Sequence, residues 1–286
     1  MKPLVSIVIS NYEYGHYLPA LFNSLASQTL GLMQVEVIVA DDGSSDGSAD
    51  TARTLGAALG FSRFKVIALK HRGKPGPVRN AGLSIARGRY LLCLDPDDAI
   101  EPGFLSRTVA ALDNCPEASL AYTDYFEATG DGGRVVSLPD FDAKLLQTQN
   151  PLTLATLMRR EVFERSRGFS DQTAYEDWDF WVQAAENGFK GIRVPLPLFR
   201  YNHHGSNFSW KARLVDGRAK AQIVLDNKYF FDPEVVGWAR ALVRSEAWAV
   251  PFRRGLIPRG ADVLALREMA SRVLDRESTR RKAANA

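Results

Sequence analysis

Tyr90-Leu-Leu-Cys-Leu-Asp-Pro-Asp-Asp98 decides how this chain is read. The first five residues form an apolar run of strand length, and the run stops at three carboxylates within four positions. Like charges this close repel one another and are costly without a cation. Hard divalent ions such as Mg²⁺ or Mn²⁺ take oxygen ligands and share them with substrate phosphates. A solvated acidic turn leading into a helix is the competing reading of the same residues. The neighbours decide between the two.

Upstream, Val5-Ser-Ile-Val-Ile9 and Val35-Glu-Val-Ile-Val-Ala40 are β-branched runs, and Phe64-Lys-Val-Ile-Ala68 is a third. Helical spacing lies between them, over residues 18–28, 48–59 and 78–87, the last closed by Gly88. Alternating strands and helices predict an α/β chain with a mostly parallel sheet covered by helices. In such sheets ligands bind beyond the carboxyl ends of the strands. Ser10–Tyr12, Asp41–Asp42 and Asp95–Asp98 all fall on that edge.

Downstream the order loosens. The pattern predicts a helix over 104–112, a strand over 119–122, and loop with short strands over 126–150. Helices over 152–165 and 177–187 follow. The two prolines within 192–201 predict an edge strand or extended segment. From Trp210 the pattern is helical, with Val263, Leu266, Ala270 and Val273 on one stripe and a frayed end over 275–286.

With 286 residues and 45% hydrophobic content, the chain can build one large domain, or one with an appendage. It has no apolar run long enough to span a membrane. The N-terminus runs straight into a strand without a cleavable apolar segment, so no signal peptide is expected. Cys93 and Cys115 sit in no metal or redox motif, which fits a reducing cytoplasm. The net charge of +3 is uneven. Residues 211–286 hold 16 Lys+Arg against 9 Asp+Glu, while the first 210 residues are slightly acidic. A nucleic-acid-binding core would show the reverse, so no nucleic acid is expected as a partner.

Asp41-Asp42-Gly43-Ser44 follows a strand, where an aspartate can accept from a base or ribose and glycine lets a backbone come close. An ordinary strand-to-helix turn uses the same residue types. Tyr175-Glu176-Asp177-Trp178-Asp179-Phe180-Trp181 mixes acids with large aromatics, a poor surface and a plausible site wall. Carboxylates at a helix start are stabilised by its dipole, so Glu176 and Asp177 are the candidates for a general base. Arg79, Lys74, His71 and Arg72 are cations that could meet a diphosphate, and His203 and His204 could meet a metal or phosphate. A solvated basic loop accounts equally well for His71 and Arg72. No Walker loop, dinucleotide fingerprint or nucleophile elbow is present.

In this order and spacing the segments resemble glycosyltransferase family 2. The resemblance lies in 5–12, Ser27-Gln28-Thr29, 37–48, Arg79–Leu83, Ala86–Tyr90, 94–98 and 176–181, and covers roughly 3–209. It implies the GT-A fold, a Rossmann-like, mostly parallel sheet flanked by helices, with residues 210–286 as a helical extension. A nucleotide-binding half, 1–100, and an acceptor half, 101–209, would make up the catalytic domain. It further implies an inverting transfer from a nucleotide diphosphate-sugar to a saccharide or glycolipid hydroxyl, with Mn²⁺ or Mg²⁺ as cofactor. Ser10, Tyr12, Asp41 and Asp42 would hold the nucleoside, with Lys74 and Arg79 near the base or diphosphate. Asp95 would approach ribose and metal, Asp97 would be the main metal ligand, and His203 would join them. Asp177 would be the base. The order Ser10-Asn11-Tyr12-Glu13 departs from the family's more usual Tyr-Asn, and His204 has no counterpart.

Two other classes stay in view. A Mg²⁺-dependent phosphohydrolase or nucleotidyltransferase would use Asp95 and Asp97 but leave Asp42 and Asp177 unexplained. A non-catalytic sugar-binding module would have no need of a base. The basic tail has two readings as well. It is a packed extension with a solvated face, or a peripheral contact with the inner face of the membrane or a second copy.

Overall fold

The computed structural model describes residues 2–129, 132–202, 212, 214–250 and 252–284, without the side chains of 273–284. His203, His204 and Trp210 therefore lie outside the described residues.

Strands β1 (Val5–Asn11), β2 (Val35–Asp41) and β4 (Tyr90–Leu94) are buried along their whole length. That is why they read as unbroken apolar runs rather than alternating ones. They pair in parallel, with β3 (Arg63–Ala68) outside β2. Helices α1 (Leu18–Ala26), α2 (Ser48–Ala57) and α3 (Pro75–Ile85) are the crossovers. Helix α3 begins three residues before the expected start, because Pro75 occupies the first turn, where no backbone donor is needed. Ser6 and Glu36 break the apolar runs, and they are buried as partners. Glu36 also pairs with Arg63 and accepts Arg87 N–H at 2.7 Å.

The second half is mixed. The sheet order is β3-β2-β1-β4-β8 (Leu157–Arg159)-β6 (Ala118–Thr129)-β9 (Lys190–Asn202)-β5 (Ala99–Ile100), with β7 (Gly132–Val136) paired to β6. Helix α4 (Phe104–Asn114) follows the short β5 (Ala99–Ile100) and leads to β6 (Ala118–Thr129), which forms a hairpin with β7 (Gly132–Val136). The expected helix over 152–165 does not form. Leu157–Arg159 is instead strand β8, wedged antiparallel between β4 and β6, and only Arg160–Glu164 is helical, as α6. Joining the sheet there closes the gap between its halves, a tertiary gain that local helical spacing cannot signal. The expected edge strand is β9 (Lys190–Asn202), which lies between β6 and β5. Its prolines are tolerated because the register with β6 shifts near them, between Thr123 and Tyr125, and β5 covers only Phe199 and Arg200.

Apolar side chains fill both faces of the sheet. Val5, Ile7 and Ile9 face α1 and α4, while Val8, Ile38 and Cys93 face a second cluster. That second cluster joins α7 (Glu176–Glu186) to the tail helices α8 (Asp216–Asp226), α9 (Pro233–Val243) and α10 (Gly260–Ala284). The tail thus shares a core with the site-bearing helix. Trp238 is fully buried there, and Trp248 is half-buried beneath Arg267, while Leu214, Tyr229 and Met269 are exposed on the tail surface along with its arginines. Among the described residues, no helix is long and apolar enough to cross a membrane.

Candidate active site

The carboxyl ends of the parallel strands meet in one cavity of about 530 Å³. Register places Asn11 beside Asp41 and Ile9 beside Leu94, so the residues after each strand converge. Ser10, Tyr12, Asp42, Lys74, Arg79, Asp95, Asp97, Glu176 and Asp177 all line the cavity.

Asp42 is 3% exposed. Its carboxylate accepts the backbone N–H groups of Arg72 at 3.0 Å and Gly73 at 2.8 Å, and His71 lies 3.1 Å away. The His71 ring stacks on Tyr12, with centroids 4.1 Å apart. The result is a flat aromatic wall beside an acidic acceptor, a surface suited to a planar base. Gly43 makes it buildable. It sits at φ +76°, and a Cβ there would lie 3.1 Å from His71 N.

Asp41 does not line this cavity. Its two oxygens are engaged by Asn11 Nδ2 at 2.7 Å and by Ser44 N and Oγ at 2.8 Å. It braces the turn that presents Asp42.

Arg79 lies at the centre, 3% exposed, donating to Asp95 at 2.8 Å and to Glu176. Burial alone would lower its pKa, but the two carboxylates outweigh that and keep it charged. Lys74 donates to the Asp171 carbonyl at the rim. Ser10 Oγ donates to Asp95 at 3.2 Å. Asp98, buried beside Asp95 and Asp97 in the cavity wall, is pushed well above the usual carboxylate range by burial and then by those two charges. The Ser27-Gln28-Thr29 segment holds the far side of this turn. Gln28 donates to Glu101 O at 2.9 Å and accepts from Leu105 N at 3.1 Å.

A divalent cation fits Asp95 and Asp97. Among the described residues no three His, Cys, Asp or Glu groups converge on a preformed cage. Ions of the Mg²⁺ type are held instead by one or two carboxylates together with waters and substrate phosphates. The crowding that burdens Asp98 is the electrostatic deficit such an ion would relieve.

Helix α7 sends its carboxylates three ways. Glu176 turns to Arg79, and burial pushes its pKa up to about 7 despite that partner, with Asp177 adding to the rise. Asp177 faces the cavity. Burial raises its pKa, the Trp178 N–H and Arg79 pull it down, and Asp95 adds to the rise. Asp179 points behind the wall, 1% exposed, accepting from Gln183 at 2.7 Å and Asn227 at 2.7 Å.

Burial pushes Asp179 up to about 6. The folded state therefore keeps a proton that the unfolded state has lost, between its ordinary value of 3.8 and about 6. Its contribution to stability is present below that window and is lost as pH rises through it, by up to about 3 kcal/mol. Urea unfolding from pH 3.5 to 6.5 is expected to show this fall, and Asp179→Asn to flatten it. Equal pH dependence in both proteins would refute the assignment.

Sequence reasoning missed Asn150 and Thr153, which come from an irregular loop, and Tyr125 and Tyr201, which reach the cavity from β6 and β9. None lies in a local motif.

A parallel sheet joined through β8 to a mixed half, with the cavity at the carboxyl ends, is the GT-A fold. The chain belongs to glycosyl transferase family 2, whose model matches residues 6–166. Among curated relatives, the succinoglycan biosynthesis protein ExoO of Rhizobium meliloti is 34% identical over 164 residues, 57% of this chain and 44% of its own length. The chain spans about half the length of ExoO and of a Bacillus subtilis relative, EpsH, and about three quarters of a Nostoc relative. Among solved structures, S. aureus TarS 1–349 in complex with UDP-GlcNAc has a TM-score of 0.65 at 20% identity, over 86% of this chain and 75% of that one. The mannosyltransferase PcManGT from Pyrobaculum calidifontis, in complex with GDP-Man and Mn²⁺, has a TM-score of 0.63 at 16% identity, over 98% and 80%. At these identities the likeness shows the fold alone.

Proposed function

We propose that the chain transfers a sugar from a nucleotide diphosphate-sugar to an acceptor hydroxyl with inversion, in polysaccharide or glycolipid synthesis. One observation carries this reading: an accessible carboxylate, Asp177, shares a cavity with the base-sized Asp42 wall and the Asp95–Asp97 pair. The nucleotide-sugars bound by TarS and PcManGT, and the description of ExoO as a succinoglycan biosynthesis protein, support the donor and the setting.

In this reading Tyr12, His71 and Asp42 hold the nucleoside, and Ser10 and Arg79 fix Asp95. Asp95 and Asp97 would hold a Mn²⁺ or Mg²⁺ ion, whose charge would offset that of the leaving diphosphate. Asp177 accepts the proton of the acceptor hydroxyl as its oxygen attacks the anomeric carbon. The electron pair of the breaking bond leaves with the diphosphate, so a single displacement inverts that carbon. Arg79 keeps Glu176 and Asp95 from adding two unpaired charges beside the base.

A thermal-shift series with UDP, GDP and their sugar conjugates, with and without Mn²⁺, tests this. Ligand at 100 times its dissociation constant stabilises by about 2.7 kcal/mol. Asp97→Ala is expected to abolish the Mn²⁺-dependent part while the apo protein keeps its transition temperature. If no nucleotide stabilises the wild-type protein, the proposal fails.

A further inference from the structure

Asn150 is used by nothing described so far, yet it touches the proposed base. Its Nδ2 donates to Asp177 Oδ2 at 3.1 Å. Its Oδ1 accepts from Leu152 N at 3.1 Å. A backbone N–H can only donate, so that second bond fixes which end of the amide is oxygen and turns the NH₂ toward Asp177. The other oxygen of Asp177 takes the Trp178 N–H at 2.8 Å.

The loop that carries Asn150 is clamped on both sides. On the α7 side, Trp178 Nε1 donates to Leu146 O at 2.8 Å, at the end of α5 (Ala143–Leu146). On the tail side, Ile257 N donates to Thr148 O at 2.8 Å. The amide is therefore delivered by the same helix that carries the base and by a tail segment that no local motif connects to it. Thr153 and Leu154, three and four residues on, line the cavity itself.

We propose that Asn150 is a positioning residue for Asp177, holding its carboxylate so that one lone pair of Oδ2 faces the acceptor hydroxyl. This rests on the reading of Asp177 as the base. With one donor on each oxygen, rotation of the carboxylate is restricted and acceptor capacity on Oδ2 remains free. The neutrality of the amide matters. A cation in its place would hold the carboxylate as firmly but would weaken it as a proton acceptor. Arg79 and Asp95 act on Asp177 from other elements, Glu176 and Tyr175 from the start of its own helix, and all four belong to the same cavity wall.

The test uses the full chain with ¹³C-labelled aspartate. The Asp177 carboxyl signal is assigned by its loss in Asp177→Asn and titrated in wild type, Asn150→Ala and Asn150→Asp. Removing the donor is expected to raise the Asp177 midpoint by about one unit in Asn150→Ala. A carboxylate in its place is expected to raise it further. The Mn²⁺-dependent thermal shift with UDP or GDP is expected to stay at the wild-type value in both variants. Where a nucleotide-sugar is turned over, Asn150→Ala is expected to lower kcat about ten-fold at neutral pH, with the donor KM unchanged. An Asp177 midpoint that does not move in either variant overturns the proposal, as does a loss confined to KM. A wild-type protein that turns over no nucleotide-sugar counts against the transfer reaction, while the titration still decides whether Asn150 controls Asp177.

Discussion

Asp177→Asn is expected to cut sugar transfer by about 10²–10⁴-fold while leaving nucleotide binding intact. The substitution keeps the size of the side chain and removes the only function assigned to it, acceptance of a proton. The wall around it does not depend on that charge. Trp178 is anchored through its own indole to Leu146 O, and Glu176 and Arg79 pair with each other. The measurement is the initial rate of nucleoside diphosphate release with and without acceptor, beside the Mn²⁺-dependent thermal shift with the same nucleotide. An unchanged shift with a collapsed rate is the expected pair of results. Because burial raises the Asp177 pKa, the wild-type rate is expected to climb with pH as the carboxyl ionises, and the residual rate of the variant to lack that limb. A loss of less than about five-fold would move the base to another group.

Asp216→Ala is expected to destabilise the fold by about 3–5 kcal/mol. Lys220 has no exposed side-chain surface, and its ammonium lies 2.6 Å from Asp216. Burial lowers the Lys220 pKa, and Asp216 opposes that. Burial likewise works to raise Asp216, but bonds from Lys220, Gly255 N and Tyr175 hold it below the usual range. Among the described residues, removing the carboxylate leaves the buried cation with the carbonyls of Arg253, at 2.9 Å, and Phe252, at 3.4 Å. It also frees the Tyr175 hydroxyl, bonded to Asp216 at 2.8 Å, and Tyr175 lines the cavity. Urea unfolding of Asp216→Ala, Lys220→Met and the double variant forms a thermodynamic cycle. The double variant is expected to recover most of the loss, because an apolar pair needs no desolvation of charge. Additive losses would show that the two residues are not coupled.

Much of the parallel half of the sheet was legible in the chain itself. Strands buried on both faces carry apolar residues at every position, so Val5–Ile9, Val35–Ala40 and Tyr90–Leu94 announce themselves without any partner. The carboxylates that end them mark the sheet edge where the cavity opens. Leu157–Arg159 was illegible, because its spacing suits a helix and only the gap between β4 and β6 makes it a strand. Asp41 and Asp42 read alike as neighbours. The fold alone turns one into the brace of a turn and the other toward the cavity, since adjacent side chains of an extended segment point opposite ways. Glu176, Asp177 and Asp179 read as one acidic cluster. The helix turns about 100° per residue, about 100° from Glu176 to Asp177 and about 200° from Asp177 to Asp179, and so sends them to Arg79, to the cavity and to the core behind it. What the sequence determined alone was the set of chemical groups and the elements that bear them. What the tertiary structure decided was direction and partnership, including the reach of Asn150 to Asp177 and of Asp216 to Tyr175. Those contacts join residues 27 and 41 positions apart, and no local pattern encodes a contact made across the core.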